Sequence, residues 1–504
     1  MKPGIFFKFS AALLILLLLL AVISSAGADV TMVKDINPSG TSHSLFLTNS
    51  GGLLFFIAYD GINGHELWKS DGTEAGTVMV KNINPSTAFN VLFHYGLSDV
   101  DGTLFFAADD GEHGYELWAS DGTAAGTGMV RNINPSWHSW PEELTDVNGT
   151  LFFAADNDST HSPARQTQLW KSDGTWTGTA LVKEINSSFS GILSELTAVN
   201  GALFFNVDDG AHGHELWKSD GTAGGTVMVK DINPLGTSSP RDLTDAGGTL
   251  FFVADDGTHG FELWVSDGTE GGTGLVKDIY TSSESLPTEL TNVNGTLFFQ
   301  ANDGVHGQEL WKSDGTEAGT LMVKDIRPAH LGNDSNPAEL TAVNGTLFFI
   351  ATNGVYEALW KSDGTEAGTV EVKSLPGWFG YPTDVNGTLF FAAYHSVYGD
   401  ELWISDGTEF GTVLIKDLNP YGGSGAADLT NVNGTLFFAA NDGEFDYEVW
   451  KASQPWEPCE GDLEPDGVVD GQDLAEFLER FEAGFVNEDN LAAFAEDFGR
   501  TGCL

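Results

Sequence analysis

From residue 30 to about residue 453 the chain is written in short runs that are either alternately apolar and polar or apolar throughout, separated by Gly, Asn and Asp. In one stretch, Glu289-Leu-Thr-Asn-Val293 meets Asn294-Gly295, and Thr296-Leu-Phe-Phe-Gln-Ala301 follows. Runs this short, rich in β-branched and aromatic residues, predict strands. Asn-Gly between them predicts a two-residue hairpin, because a type I′ turn needs positive φ at both central positions. A third run, Glu309-Leu-Trp-Lys-Ser313, and a fourth, Leu321-Met-Val-Lys-Asp-Ile326, are separated by Asp314-Gly-Thr-Glu-Ala-Gly319, which is again turn chemistry.

This four-run pattern repeats. The tryptophan of Glu-Leu-Trp (Glu-Val-Trp in the last unit, Gln-Leu-Trp and Ala-Leu-Trp in two others) recurs at Trp68, Trp118, Trp170, Trp217, Trp264, Trp311, Trp360, Trp403 and Trp450, at intervals of 43 to 52 residues and most often 47. The hairpin position holds Asn-Gly in six units, Asp101-Gly102 in one and Gly-Gly in two. Four short antiparallel strands in each such unit is the make-up of a propeller blade. A solenoid would need capped ends. Here the ends are complementary: Val30-Thr-Met-Val-Lys-Asp-Ile36 is a fourth strand with no blade before it, and the unit ending at Glu448-Val-Trp-Lys-Ala-Ser453 lacks one. The sequence therefore predicts an all-β, closed β-propeller of eight to nine four-stranded blades over residues 29–453. Its N-terminal strand completes the last blade and removes the open sheet edges. The third unit, stretched across Asp156 to Gln168, and the eighth, shortened across Leu375 to Thr383, are the ones in which a blade is most open to distortion.

With Trp, Asp-Gly and Gly-Thr recurring together, residues 30 to 453 resemble the bacterial repeat family defined by the motif E-L-W-x-x-D-G-T, found in secreted and surface proteins. The resemblance implies an architecture far more than an activity.

Charge and the first residues then change the picture. Lys2 and Lys8 precede an apolar run from Ala11 to Ile23 and the small triplet Ala26-Gly27-Ala28, the order of a cleaved secretory signal peptide over residues 1–28. No cysteine stands at that boundary to take a lipid, and no later run is long enough to span a bilayer. The expected location is extracellular or at the cell surface, with no membrane span after cleavage. Removing Lys2 and Lys8 from the 22 basic residues leaves 20 against 72 acidic, a formal charge of −52. That sign excludes nucleic acid as a partner.

Catalytic signatures are missing from this part of the chain: there is no nucleophile elbow, phosphate loop or His-Glu-x-x-His helix. His113, His212, His259 and His306 recur in an acidic loop, which suggests a structural role there, since equivalent positions on different blades cannot meet at one metal. The Asp-Asp-Gly sequences of these loops lack the alternating oxygens of a full calcium loop. The Asn-Gly-Thr sequons are explained by the hairpins. Trp137, Trp140 and Trp378 depart from the Gly, Ser and Thr of most inter-blade loops; they either fill gaps between blades or stack on a sugar or protein ligand.

After the linker 454–458 the composition changes. Residues 462 to 473 read Asp-Leu-Glu-Pro-Asp-Gly-Val-Val-Asp-Gly-Gln-Asp. As a twelve-residue loop this places oxygens of Asp462, Glu464, Asp466, Asp470 and Asp473 and the carbonyl of Val468 around one calcium ion, with Gly467 at the sharp turn. An apolar periodic helix follows at Leu474, Phe477, Leu478 and Phe481. The final Asp makes residues 459–504 similar to a dockerin, the calcium-loop module of secreted polysaccharide-degrading assemblies. A dockerin carries two loops, whereas here the second has lost its acids at positions 3, 5 and 12, so one calcium is expected and a cohesin-like partner is in question. The only two cysteines, Cys459 and Cys503, bracket the module and are expected to pair, worth about 4 kcal/mol at most.

Together these readings imply an exported, calcium-binding, non-enzymatic scaffold. Its propeller face would bind a glycan or an extracellular protein, and its helical tail would serve for attachment. A polysaccharide-degrading propeller enzyme and a structural surface-layer or matrix component are the alternatives.

Overall fold

The computed structural model describes residues 30–85, 96–157, 167–185, 193–328, 334–375, 377–445 and 447–452. Within them, nine four-stranded antiparallel sheets form a nine-bladed β-propeller, with no helix among the described residues. The signal-like segment and the calcium-loop module, with its expected helix, lie outside the described residues.

Strand β1 (Val30–Lys34) stands apart from the blade that follows it. That blade is a meander of β2 (Leu45–Ser50), β3 (Leu53–Tyr59), β4 (His65–Ser70) and β5 (Val78–Lys81). Seven more blades repeat it, over residues 97–131, 142–183, 194–230, 241–277, 288–324, 338–374 and 379–414. The ninth has three strands of its own, ending in Glu448–Ala452, and β1 pairs antiparallel with that last strand, Val30 opposite Ala452 and Met32 opposite Trp450. Blades 3 and 8, stretched and shortened in sequence, are complete sheets. The hairpin pairs take the backbone predicted for them: Asn294 and Gly295 lie at φ 53° and 84°, Gly51 and Gly52 at 57° and 82°.

The first strand of each blade lies against the first strand of the next, and the ninth (Ala427–Val432) against β2, which closes an inner circuit. Thr430 Oγ1 donates to Leu47 O at 2.9 Å across that closure, as Thr145 donates to Leu196 O at 3.2 Å between blades 3 and 4.

The Leu-Phe-Phe run of each second strand is buried on both sides of its sheet; Leu54, Phe55 and Phe56 are 0%, 3% and 0% exposed. Each core is shared by two blades: Phe298, Leu310 and Val323 of blade 6 pack with Leu347, Phe349 and Trp360 of blade 7. A buried Phe contributes roughly 1.5–3 kcal/mol, so every blade depends on its neighbours for stability.

The repeated phrase builds the outer half of the blade. In blade 1, Ser70 Oγ bonds Thr77 Oγ1 at 2.7 Å and accepts from Gly72 N at 2.9 Å, while Asp71 Oδ1 accepts from Thr73 N and Oγ1 at 2.9 and 2.7 Å. A Cβ at Gly76 would lie 2.0 Å from Asp71 Oδ1, so that position admits no side chain. The basic residues strap blades together. Lys34 Nζ donates to Thr77 O at 2.8 Å and stands 5.9 Å from the Trp68 ring; Lys230 does the same to Thr273 O and Trp264 at 2.7 and 5.9 Å. Lys451 Nζ to Gly72 O, at 2.7 Å, straps blade 9 to blade 1.

Candidate functional site

Hairpin and Asp-Gly-Thr turns share one face of the ring. The opposite face collects the loops between second and third strands and the loops from blade to blade, and this face carries the residues singled out in the sequence.

Its foundation is the Glu of Glu-Leu-Trp, buried in every blade that has it. Glu116 is 0% exposed, and its Oε2 accepts from Ile133 N at 2.7 Å and Ser139 Oγ at 2.7 Å, which pins the loop leading to blade 3. Glu262 holds Ile279 N at 3.1 Å and Ser285 N at 2.9 Å in the same way, and Glu448 accepts from Ile36 N at 3.3 Å across the ring closure. Burial, opposed by these donors, pushes Glu66, Glu116, Glu309, Glu401 and Glu448 up to about 7. Blade 3 uses Gln168, whose Oε1 accepts from Ile185 N at 2.9 Å. A carboxyl with a raised pKa can serve as a catalytic acid only where a substrate reaches it. These are sealed beneath the loops they hold.

The four loop histidines each close their own loop. His113, His212, His259 and His306 place Nδ1 2.7–2.8 Å from Asp110, Asp209, Asp256 and Asp303, and that hydrogen bond raises each imidazole above its ordinary value. Among the described residues no cluster of three or more His, Cys, Asp or Glu has the arrangement of a metal site.

Trp137 and Trp140 lie in the loop between blades 2 and 3, and Trp378 lies before the first strand of blade 8, so the three do not form one site. Trp137 is 53% exposed. Its ring meets His138 edge-on at 4.7 Å, and Trp140 stacks on buried Tyr115 at 4.5 Å and 20°. Trp140 thus serves in part as packing, while Trp137 is presented outward. Trp378 is 49% exposed and meets Tyr381, 43% exposed, at 5.8 Å and 68°.

Tyr381 belongs to a set the sequence reading passed over. In most blades a bulge near the start of the first strand puts one residue at positive φ: Glu143, Glu195, Asp242, Glu289, Glu339, Tyr381, Asp428 and Phe46 lie between 54° and 62°. Opposite Glu142 and Thr145 stand Ala154 and Phe152, so two residues face one, which is the signature of a bulge. From blade 3 to blade 7 this inner circuit is entirely acidic. Burial, then neighbouring Asp242 and Glu143, raise Glu195; burial, then Glu289, raise Glu339. Several of these carboxylates tie blade to blade: Glu143, Glu195 and Glu289 accept from Leu196 N, Leu243 N and Leu340 N at 3.2, 3.4 and 3.3 Å. The recurring Glu-Leu-Thr ahead of the hairpin was the available signal, hidden because an acidic residue in a strand reads as a solvated face.

The predicted calcium ligands Asp462, Glu464, Asp466, Val468, Asp470 and Asp473, and the pair Cys459 and Cys503, lie outside the described residues.

No family model and no curated protein matches this chain. Among solved structures, the chain is similar to one from a study of two prolyl endopeptidases, at 11% identity over 79% of this chain and 54% of that one, with a TM-score of 0.39. It is similar to puromycin hydrolase at 15% identity over 83% and 61%, TM-score 0.39. It is also similar to prolyl oligopeptidase B from Galerina marginata at 11% over 74% and 55%, TM-score 0.37. The chain thus matches a little over half the length of these proteins, at identities too low to transfer chemistry.

Proposed function

We propose that this protein is an exported, non-enzymatic binding scaffold: the propeller's loop face takes a glycan or an extracellular protein, and the C-terminal module, folded around one calcium ion, attaches it, with a cohesin-like domain as one candidate partner. The observation that carries the reading is the exposure of Trp137 and Trp378 at 53% and 49%, in a chain whose nine repeat tryptophans are all buried. Large aromatics held outward by backbone hydrogen bonds lose little conformational freedom on binding, which suits them as anchors. Trp137 N donates to Asn134 O at 3.1 Å, and Tyr394 N to Trp378 O at 2.8 Å. The Glu-Leu-Trp carboxyls, with pKa values pushed up to about 7 in five blades, are sealed beneath this face and serve to hold its loops.

The test is retention of residues 29–504 on glycan and extracellular-protein arrays, with and without a calcium chelator. Binding lost in Trp137→Ala or Trp378→Ala supports the reading. Release of reducing ends from a polysaccharide would replace it with the enzyme reading. Calcium-driven self-association without any array ligand would replace it with a structural role.

A further inference from the structure

We infer that the blade-8 sector of the inner circuit binds an organic cation, the guanidinium or ammonium group of a basic side chain on a partner protein. The inference rests on the binding reading above and narrows it to one surface and one chemistry.

Two aromatic walls are present. Trp378 and Tyr381 stand 5.8 Å apart at 68°, each close to half exposed. Gly380 makes room for the indole, since a Cβ there would come within 2.6 Å of it, and the Tyr394 amide fixes the Trp378 carbonyl at 2.8 Å. The corner is therefore preformed. Aromatic faces set at an angle attract a cation through their quadrupoles, and Trp does so most strongly.

Carboxylates flank the corner along the circuit, Glu339 on blade 7 and Asp428 on blade 9. Thr383 Oγ1, bonded to Tyr381 O at 3.0 Å and to Leu429 O at 3.3 Å, holds Tyr381 beside the Asp428 strand. Asp428 is tied to Phe46 N at 2.8 Å. Glu339 differs from Glu143, Glu195 and Glu289 in one respect. Each of those accepts from the amide of a leucine in the next blade, and the residue at the matching position of blade 8 is Pro382, which has no N–H to give Glu339. Among the described residues its carboxylate accepts no hydrogen bond, so it remains available to a ligand.

Rings plus an untied carboxylate select the ligand class. A neutral sugar could stack on the rings and donate a hydroxyl to Glu339 but would leave the charges of Glu339 and Asp428 uncompensated, and an anion would be repelled by both flanking acids. A guanidinium or ammonium satisfies rings and carboxylate together. A protein source fits because the acidic chain draws cationic proteins toward it over long range.

The test is calorimetric titration of residues 29–504, in about 0.15 M salt to screen the diffuse field. The probes are the peptide acetyl-Gly-Arg-Gly-Arg-Gly-amide, its citrulline counterpart and spermidine. Expected are binding of the arginine peptide, with the neutral citrulline peptide and spermidine each about tenfold weaker or more, and losses of about 3- to 30-fold in Trp378→Ala, Tyr381→Ala and Glu339→Gln. Pro382→Leu removes no contacting side chain but restores the amide that occupies Glu339, so it too should weaken binding. Glu143→Gln removes the same charge elsewhere on the circuit and should change affinity less than about twofold. Equal losses in Glu143→Gln and Glu339→Gln, or equal binding of the citrulline peptide, would overturn the site. Spermidine binding as tightly as the peptide would overturn the protein source. If arrays show a ligand that depends on Trp137 while the arginine peptide fails, the inference falls and the broader reading stands. If no ligand is retained anywhere, both fall.

Discussion

At the scale of single residues, the buried Glu found in seven of the nine repeats couples stability to pH. Its folded pKa is about 7 in five blades against an ordinary 4.5, so the folded state binds protons the unfolded chain does not. Each such group costs roughly 3 kcal/mol once ionised, and that penalty fades as pH falls from about 7 toward 4.5. Below about pH 4 the trend reverses, because Asp71, Asp121, Asp173 and their equivalents have pKa values lowered by hydrogen bonds from Thr, and those bonds fail on protonation. The expected outcome is a Tm maximum near pH 5, checked by calorimetry across pH 3–9. Glu116→Gln, which copies what blade 3 already does with Gln168, should leave Tm near its wild-type value at pH 5 and raise it at pH 8. Glu116→Ala should cost about 2–4 kcal/mol, by leaving Ile133 N without its acceptor and Ser139 Oγ with only the Tyr115 carbonyl, and by opening a buried cavity. The sequence displayed the recurrence of this Glu without its burial: a charged residue next to Leu-Trp in a β-strand is ordinarily the outward member of an alternation. The backbone donors that reverse the expectation come from a loop 17 residues later.

At the scale of elements, the strands and hairpins could be read from sequence because their signals are local. Positive φ at Asn-Gly and the two-residue period both act within a few residues. Bulges and straps escaped notice because each depends on a partner one blade away. Lys230 reaches Thr273, 43 residues on, and nothing in its own strand announces that. Two substitutions separate the two kinds of information. Gly319→Ala should destabilise by about 1–3 kcal/mol, because its Cβ would fall 2.1 Å from Asp314 Oδ1 and break the Asp-Thr turn. Lys230→Met keeps the local strand pattern and should still cost about 1 kcal/mol through the lost bond and ring contact. Urea denaturation measures both, and an unchanged midpoint in Lys230→Met would show the strap to be idle. Trp137, Trp140 and Trp378 stood out in sequence as exceptions to the loop pattern. The sequence did not show that Trp140 leans on Tyr115 whereas Trp378 is joined by Tyr381, because both facts depend on three-dimensional neighbours.

At the scale of the whole molecule, stability belongs to the ring. Each core is shared by adjacent blades, so opening one seam weakens two of them. Removing residues 29–36 leaves blade 9 with three strands and uncovers the edge at Trp450. The expected result is a Tm lowered by several degrees and new proteolytic cuts in blades 9 and 1 before any elsewhere, seen by mass spectrometry of a limited digest. Charge acts at the same scale. Many of the basic residues are engaged in straps, and with 22 basic residues against 72 acidic the chain carries a large excess of negative charge. Added sodium chloride should therefore raise Tm at pH 7.

The pairing of β1 with Glu448–Ala452 also sets a schedule. One half of the seam is synthesised more than four hundred residues before the other, so a growing chain carries a lone sticky strand until Glu448–Ala452 emerges. A prematurely terminated product can never sheathe that strand and offers its bare backbone to proteases and to neighbouring molecules. The fold thereby supplies its own quality control: only a copy that extends through the ninth blade can cover the edge of β1.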